Sequence, residues 1–162
     1  MLRFIKITLI IFILLSLSSF SGADVKVGNK APEFSLKDTE GNLIQLSDYQ
    51  GKNPVLLDFF TTWCPSCIKY LDEINRCYSA YEDKGLKVFG IDIQEPQSKV
   101  KRLIKKHNLN YPVLLDTEAE AASSYKVLGV PYIVIIDKKG FIGWSGHVLD
   151  NEAREMLKQV LD

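Results

Sequence analysis

Two cysteines three residues apart, in Thr61-Thr62-Trp63-Cys64-Pro65-Ser66-Cys67, follow directly on the apolar run Val55 to Phe60. That arrangement constrains the fold more than any other stretch of the chain. A run this apolar, broken only by Asp58, reads as a strand buried on both faces. Pro65 suits the first position of a helix, where its missing N–H is not needed. A strand that delivers two thiols to a helix start can close a small disulfide ring and reopen it. The same spacing is also half of a zinc site. The chain has 3 cysteines and 2 histidines. Cys77 is alone, and His107 and His147 are far apart, so a second ligand pair for structural zinc is lacking.

The first residues set the compartment. Arg3 and Lys6 precede an apolar run from Ile7 to Leu17, and Ser21 and Ala23 fit the small positions of a cleavage site. This describes a secretory signal over residues 1–23, with a mature start near Asp24. An uncleaved membrane anchor is the alternative, although the run to Phe20 is shorter than the about 20 residues that span a bilayer. Either way, residues 24–162 form one domain in the periplasm or an equivalent extracytoplasmic space, where disulfides persist. The formal charge is zero, and removal of Arg3 and Lys6 brings it to roughly −2. Nothing in that balance points to nucleic acid.

Beyond the cysteines, strands and helices alternate. Ala31–Leu36 and Leu43–Leu46 flank a turn at Glu40-Gly41-Asn42 and read as a hairpin. A helix is expected from Pro65 to about Asp83, with Ile68, Leu71, Ile74 and Tyr78 on its core face and Gly85 as its stop. Strands are expected at Leu86–Ile91, Val113–Asp116, Tyr132–Ile136 and Phe141–Gly146. A basic helix runs over Ser98–His107. Thr117-x-x-Glu120 reads as a capping box for a short helix, and Asp150 as the cap of a last helix over Asn151–Leu161. The result is an α/β domain, a central mixed sheet flanked by helices, with its site at the C-terminal end of a central strand.

Cys64, just before the helix, is the expected exposed nucleophile, because free N–H groups and the helix dipole favour a thiolate there. Cys67, one turn further in, would resolve a mixed disulfide by attacking Cys64. Pro65 and Ser66 between them tune the thiolate. Trp63 either offers a flat surface to a partner chain or packs in the core. Asp58 interrupts a buried strand, where a carboxylate tends to hold its proton, and it is placed to take the proton of Cys67. Val130-Pro131 precedes a strand, and backbone there can pair with substrate peptide; spacing alone leaves cis or trans open. Cys77, ten residues past Cys67 on the same helix, lies about 15 Å from it along the axis, too far for a disulfide.

Trp63-Cys64-Pro65-Ser66-Cys67, Asp58 before it and Gly129-Val130-Pro131 after it resemble the thioredoxin fold over nearly all of residues 27–162. Ala31–Leu36, Leu46–Lys52, the inserted segment Tyr111–Asp116 and Ile136–Gly140 look like the TlpA/ResA-like branch, which is related to the AhpC/TSA redoxins. The resemblance implies an exported thiol–disulfide oxidoreductase, a cis Pro131 and Cys64 as the attacking thiol. Four positions depart from that branch. Proline stands first rather than second between the cysteines. Tyr70 replaces a frequent glutamate, Asp58 a frequent asparagine, and Asp72 a helix proline.

The leading reading is a reductase of protein disulfides, of the kind that serves cytochrome c maturation. Its partners would be a disulfide-containing protein and a CcdA/DsbD-like membrane thiol donor. It would need no cofactor and no metal beyond the redox-active pair Cys64-Cys67. Two alternatives stand beside it. A peroxiredoxin-like peroxidase is suggested by Thr61, three residues before Cys64, although Leu57 holds the place of that pattern's proline. A copper chaperone would use Cys64, Cys67 and His147. The basic helix residues Lys99, Lys101, Arg102, Lys105 and Lys106 form either a solvated face or a docking patch for an acidic partner.

Overall fold

The computed structural model describes residues 25–162; the signal or anchor expected over residues 1–23 lies outside them. Among the described residues, seven strands form one sheet: β1 Ser35–Asp38, β2 Leu43–Gln45, β3 Val55–Phe60, β4 Lys87–Ile93, β5 Val113–Asp116, β6 Tyr132–Ile136 and β7 Ile142–Gly146. Their order across the sheet is β2-β1-β5-β4-β3-β6-β7. The β3–β4 and β4–β5 pairs are parallel, and β3–β6 is antiparallel. The N-terminal hairpin joins through an antiparallel β1–β5 pair. This is the mixed sheet that alternating strands and helices imply.

Every residue of β3 is buried, because β4 and β6 flank it and helices cover both faces. Strand alternation divides its side chains. Leu56 and Phe60 face one core layer together with Cys64, Cys67, Leu71 and Ile74. Leu57 and Phe59 face the other, beneath Phe34, Tyr125 and Val134. Asp58 shares the parity of Leu56 and Phe60, so it points into the layer that holds the cysteines.

Helix α1, Pro65–Tyr81, buries Cys67, Leu71 and Ile74 on that layer. Removing one such side chain, as in Leu71→Ala, costs about 2–5 kcal/mol. A short 3-10 turn at Glu82–Lys84 and the left-handed Gly85 (φ 93°) end it. Helix α2, Gln97–His107, follows β4 and closes on Asn108 in the left-handed region. The last helix, α4, spans Asn151–Leu161, and the Asp150 side chain accepts from the Ala153 N–H at 2.9 Å, as its sequence predicts.

One expectation fails in detail. Thr117-x-x-Glu120 is not a capping box. Helix α3, Glu120–Ser124, starts after Ala119 in a left-handed conformation, with no cap from Thr117. Buried Asp116 does the capping: its two oxygens accept the N–H groups of Ala121 and Ala122. The carboxylate at the end of β5 gives one oxygen to each of two otherwise unpaired N–H groups and sets a negative charge at the helix start.

Candidate redox site

Cys64 is the N-cap of α1, with extended backbone (φ −82°, ψ 110°), and Pro65 takes the first helical position. Cys64 and Cys67 form a disulfide with Cα atoms 5.3 Å apart. The Cys67 N–H donates to Cys64 Sγ at 3.1 Å, and Ser66 Oγ lies 3.2 Å from the same sulfur. The first turn of α1 carries no acidic residue. The dipole of the helix start therefore acts on this sulfur without a nearby opposing carboxylate on its own turn.

Cys64 is less accessible than its position before the helix suggests. It is 5% exposed, against 1% for Cys67. The Val130 carbonyl oxygen stands opposite it, 3.6 Å from Cys64 Sγ, and the Val130–Pro131 peptide is cis. His147 Nδ1, 2.6 Å from the Pro131 oxygen, donates its proton there, and its ring packs edge-on against Tyr132. That contact engages one nitrogen of the histidine that a copper reading would have used. Trp63, by contrast, is 71% exposed, so it is a surface residue and not core packing.

Asp58 is buried, and its Oδ1 has no hydrogen-bond partner. Burial pushes its carboxyl up to about 7. Tyr111 is also buried with an unpartnered hydroxyl; burial first, then the charges of Asp58 and Asp72, push its phenol upward. Asp58 thus shares an apolar compartment with a neutral phenol and the face of α1 that carries Cys67. Cys77 is a half-buried free thiol that burial raises to about 11, which makes it a poor nucleophile beside the pair at the helix start.

Sequence reasoning missed a carboxylate cluster on the other side of the thiol loop. Glu95 is buried and accepts both the N–H (2.5 Å) and the hydroxyl (2.7 Å) of Thr62. Lys99 Nζ is 3.7 Å from it. Burial alone would raise its carboxyl, but the Thr62 bonds and the Lys99 charge hold it below the ordinary value. Asp92, buried beside it, is raised to about 8 by burial first and then by the Glu95 charge. The only local signal was two acids in a segment that reads as strand end and loop. Leu128, fully exposed just before the cis peptide, was also passed over.

The profile of the AhpC/TSA family matches residues 27–145. The thiol-disulfide oxidoreductase ResA of Bacillus thuringiensis is 33% identical over 137 residues, covering 85% of this chain and 78% of the relative. ResA of Bacillus subtilis is 33% identical over 122 residues, covering 75% of this chain and 68% of the relative. Among solved structures, a thiol:disulfide interchange protein from Bacteroides sp. superposes with a TM-score of 0.75 at 26% identity, covering 85% of this chain and 92% of that one.

Proposed function

This chain belongs to the AhpC/TSA family and is a thiol–disulfide oxidoreductase of the ResA kind, and from that premise we propose that it reduces protein disulfides outside the cytoplasm. The observation that carries the reading is the Cys64–Cys67 disulfide at the start of α1, with Cys64 Sγ set against the Val130 carbonyl. A client strand pairing with that backbone would bring its own sulfur to Cys64.

In the dithiol state, the Cys64 thiolate attacks one sulfur of the client disulfide. The client S–S bond breaks, a Cys64–client bond forms, and the departing client thiolate takes up a proton. Cys67 then gives its proton to Asp58 and attacks Cys64 Sγ. The mixed disulfide breaks, the second client thiolate leaves, and Cys64–Cys67 closes. Two electrons pass from the pair to the client, so the cycle calls for no further cofactor. Asp58 suits the proton step because its carboxyl, at about 7, accepts and returns a proton near neutral pH.

The signal or anchor over residues 1–23 supplies export, and a CcdA/DsbD-like membrane thiol donor would re-reduce the pair. An apocytochrome c with an oxidised cysteine pair is the client that the resemblance to the TlpA/ResA-like branch implies. The direction of flow is tested by equilibrating the purified protein with a thiol–disulfide buffer. A reduction potential near the about −270 mV of thioredoxin is expected, and one near the about −120 mV of strong oxidants would contradict reduction.

A further inference from the structure

Helix α2 presents two different basic stripes. Lys101 and Lys105 lie on one, and Lys101 is neutralised by Glu40 at 3.1 Å. Lys99, Arg102 and Lys106 recur at three- and four-residue steps on the other, so they stack along one face. That second stripe lines a groove whose remaining walls are Leu103 and Thr62. Thr62 is two residues before Cys64 and next to the exposed Trp63. Lys99 already faces buried Glu95. Arg102 and Lys106 are exposed and, among the described residues, make no ion pair.

We propose that this groove takes an acidic segment of the client polypeptide flanking its disulfide, and so selects clients by charge. The inference rests on the reductase reading and specifies its substrate class. Three considerations carry it. Glu95 is consumed by Thr62 and Lys99, which leaves the outer two cations without a carboxylate partner among the described residues. The groove shares a wall with the loop that carries Cys64, so its occupant would be covalently continuous with the disulfide under attack. The chain as a whole is formally neutral, so attraction of acidic chains would arise from this local stripe and not from net charge. Exposed pairs of this kind are individually weak, which suits a client that must leave after each turnover.

The test uses three synthetic peptides with the same disulfide loop, flanked by glutamates, by glutamines or by lysines. The second-order rate constant for oxidation of the reduced full domain is followed by tryptophan fluorescence at low salt. The glutamate-flanked peptide is expected to react about fivefold faster than the glutamine-flanked one, and the lysine-flanked one more slowly. That advantage should shrink in 0.5 M salt. Arg102→Gln/Lys106→Gln should bring the glutamate-to-glutamine ratio close to one. Lys101→Gln/Lys105→Gln, with the same change in net charge, should keep it.

Equal rates for the three peptides, or an equal loss of preference in both double variants, would overturn the groove while leaving the reductase reading intact. If no peptide oxidises the dithiol, the reductase reading fails. The groove is then judged on binding of the glutamate-flanked peptide to the disulfide form, with weakening by Arg102→Gln/Lys106→Gln as the supporting result and unchanged binding as the contrary one. Binding to phosphatidylglycerol vesicles that this double variant abolishes, with no peptide preference, would assign the stripe to a membrane surface and overturn the inference.

Discussion

Glu95 reaches across 33 residues of sequence to hold Thr62 by both its backbone N–H and its hydroxyl. The loop that presents Cys64 is thereby anchored to the end of the neighbouring strand β4. Glu95→Ala would leave two donors without their partner and remove the charge that helps raise Asp92. Urea denaturation should show a loss of about 1–3 kcal/mol. Asp92, held at about 8 by burial and by Glu95, should then ionise at lower pH. An unchanged midpoint would mean that water serves Thr62 equally well.

Ser66 Oγ is 3.2 Å from Cys64 Sγ, and its hydroxyl can donate to a thiolate there. Ser66→Ala removes that donor and leaves the Cys67 N–H in place. The pH at which Cys64 ionises, read from thiolate absorbance of the reduced protein, should rise by about half to one pH unit. No change would mean that the Ser66 hydroxyl does not stabilise the Cys64 thiolate.

Asp58 ionises in the folded protein at about 7, against an ordinary 3.8. Between those values the native state holds a proton that the unfolded chain has lost. Stability is therefore fully present below about pH 4, falls as pH rises towards 7 and levels off above it. Asp58→Asn abolishes this slope. The variant should match the parent near pH 4 and exceed it at pH 8 by roughly 1–4 kcal/mol, while resolving mixed disulfides more slowly. Asp92 has a slope of the same sign but is present in both proteins, so the difference curve isolates Asp58. Parallel pH curves would contradict a buried, proton-holding Asp58.

Trp63 is 71% exposed and contributes little packing. Trp63→Ala should change stability by no more than about 0.5 kcal/mol. Its rate with peptide disulfides should fall, while its rate with a small disulfide such as hydroxyethyl disulfide should not. A loss with both would place the indole in the chemistry itself and not in client recognition.

Local sequence carried the fold a long way. The apolar run around Asp58, Pro65 at a helix start and Asp150 before the last helix each encode an element within a few residues, and the structure has them there. What sequence did not carry depends on contacts between distant segments. Thr117 and Glu120 have the spacing of a capping box, yet Asp116 wins because it sits at the end of a strand with both oxygens aimed at the helix. Glu95 reads as an ordinary loop acid until β3 and β4 pair and place it under Thr62. Cys64 meets the Val130 carbonyl oxygen, 66 residues away in sequence, a contact that no helix-start pattern contains.

Cys64 and Cys67 divide the labour, the first attacking the client and the second resolving the mixed disulfide. Reduced Cys67→Ser and Cys64→Ser are each mixed with a disulfide-bearing peptide, and adducts are resolved on non-reducing gels and by mass spectrometry. A stable peptide adduct is expected on Cys64 in Cys67→Ser, released by added thiol, and none in Cys64→Ser. Adducts on Cys67 in Cys64→Ser, with none in Cys67→Ser, would contradict that division of labour.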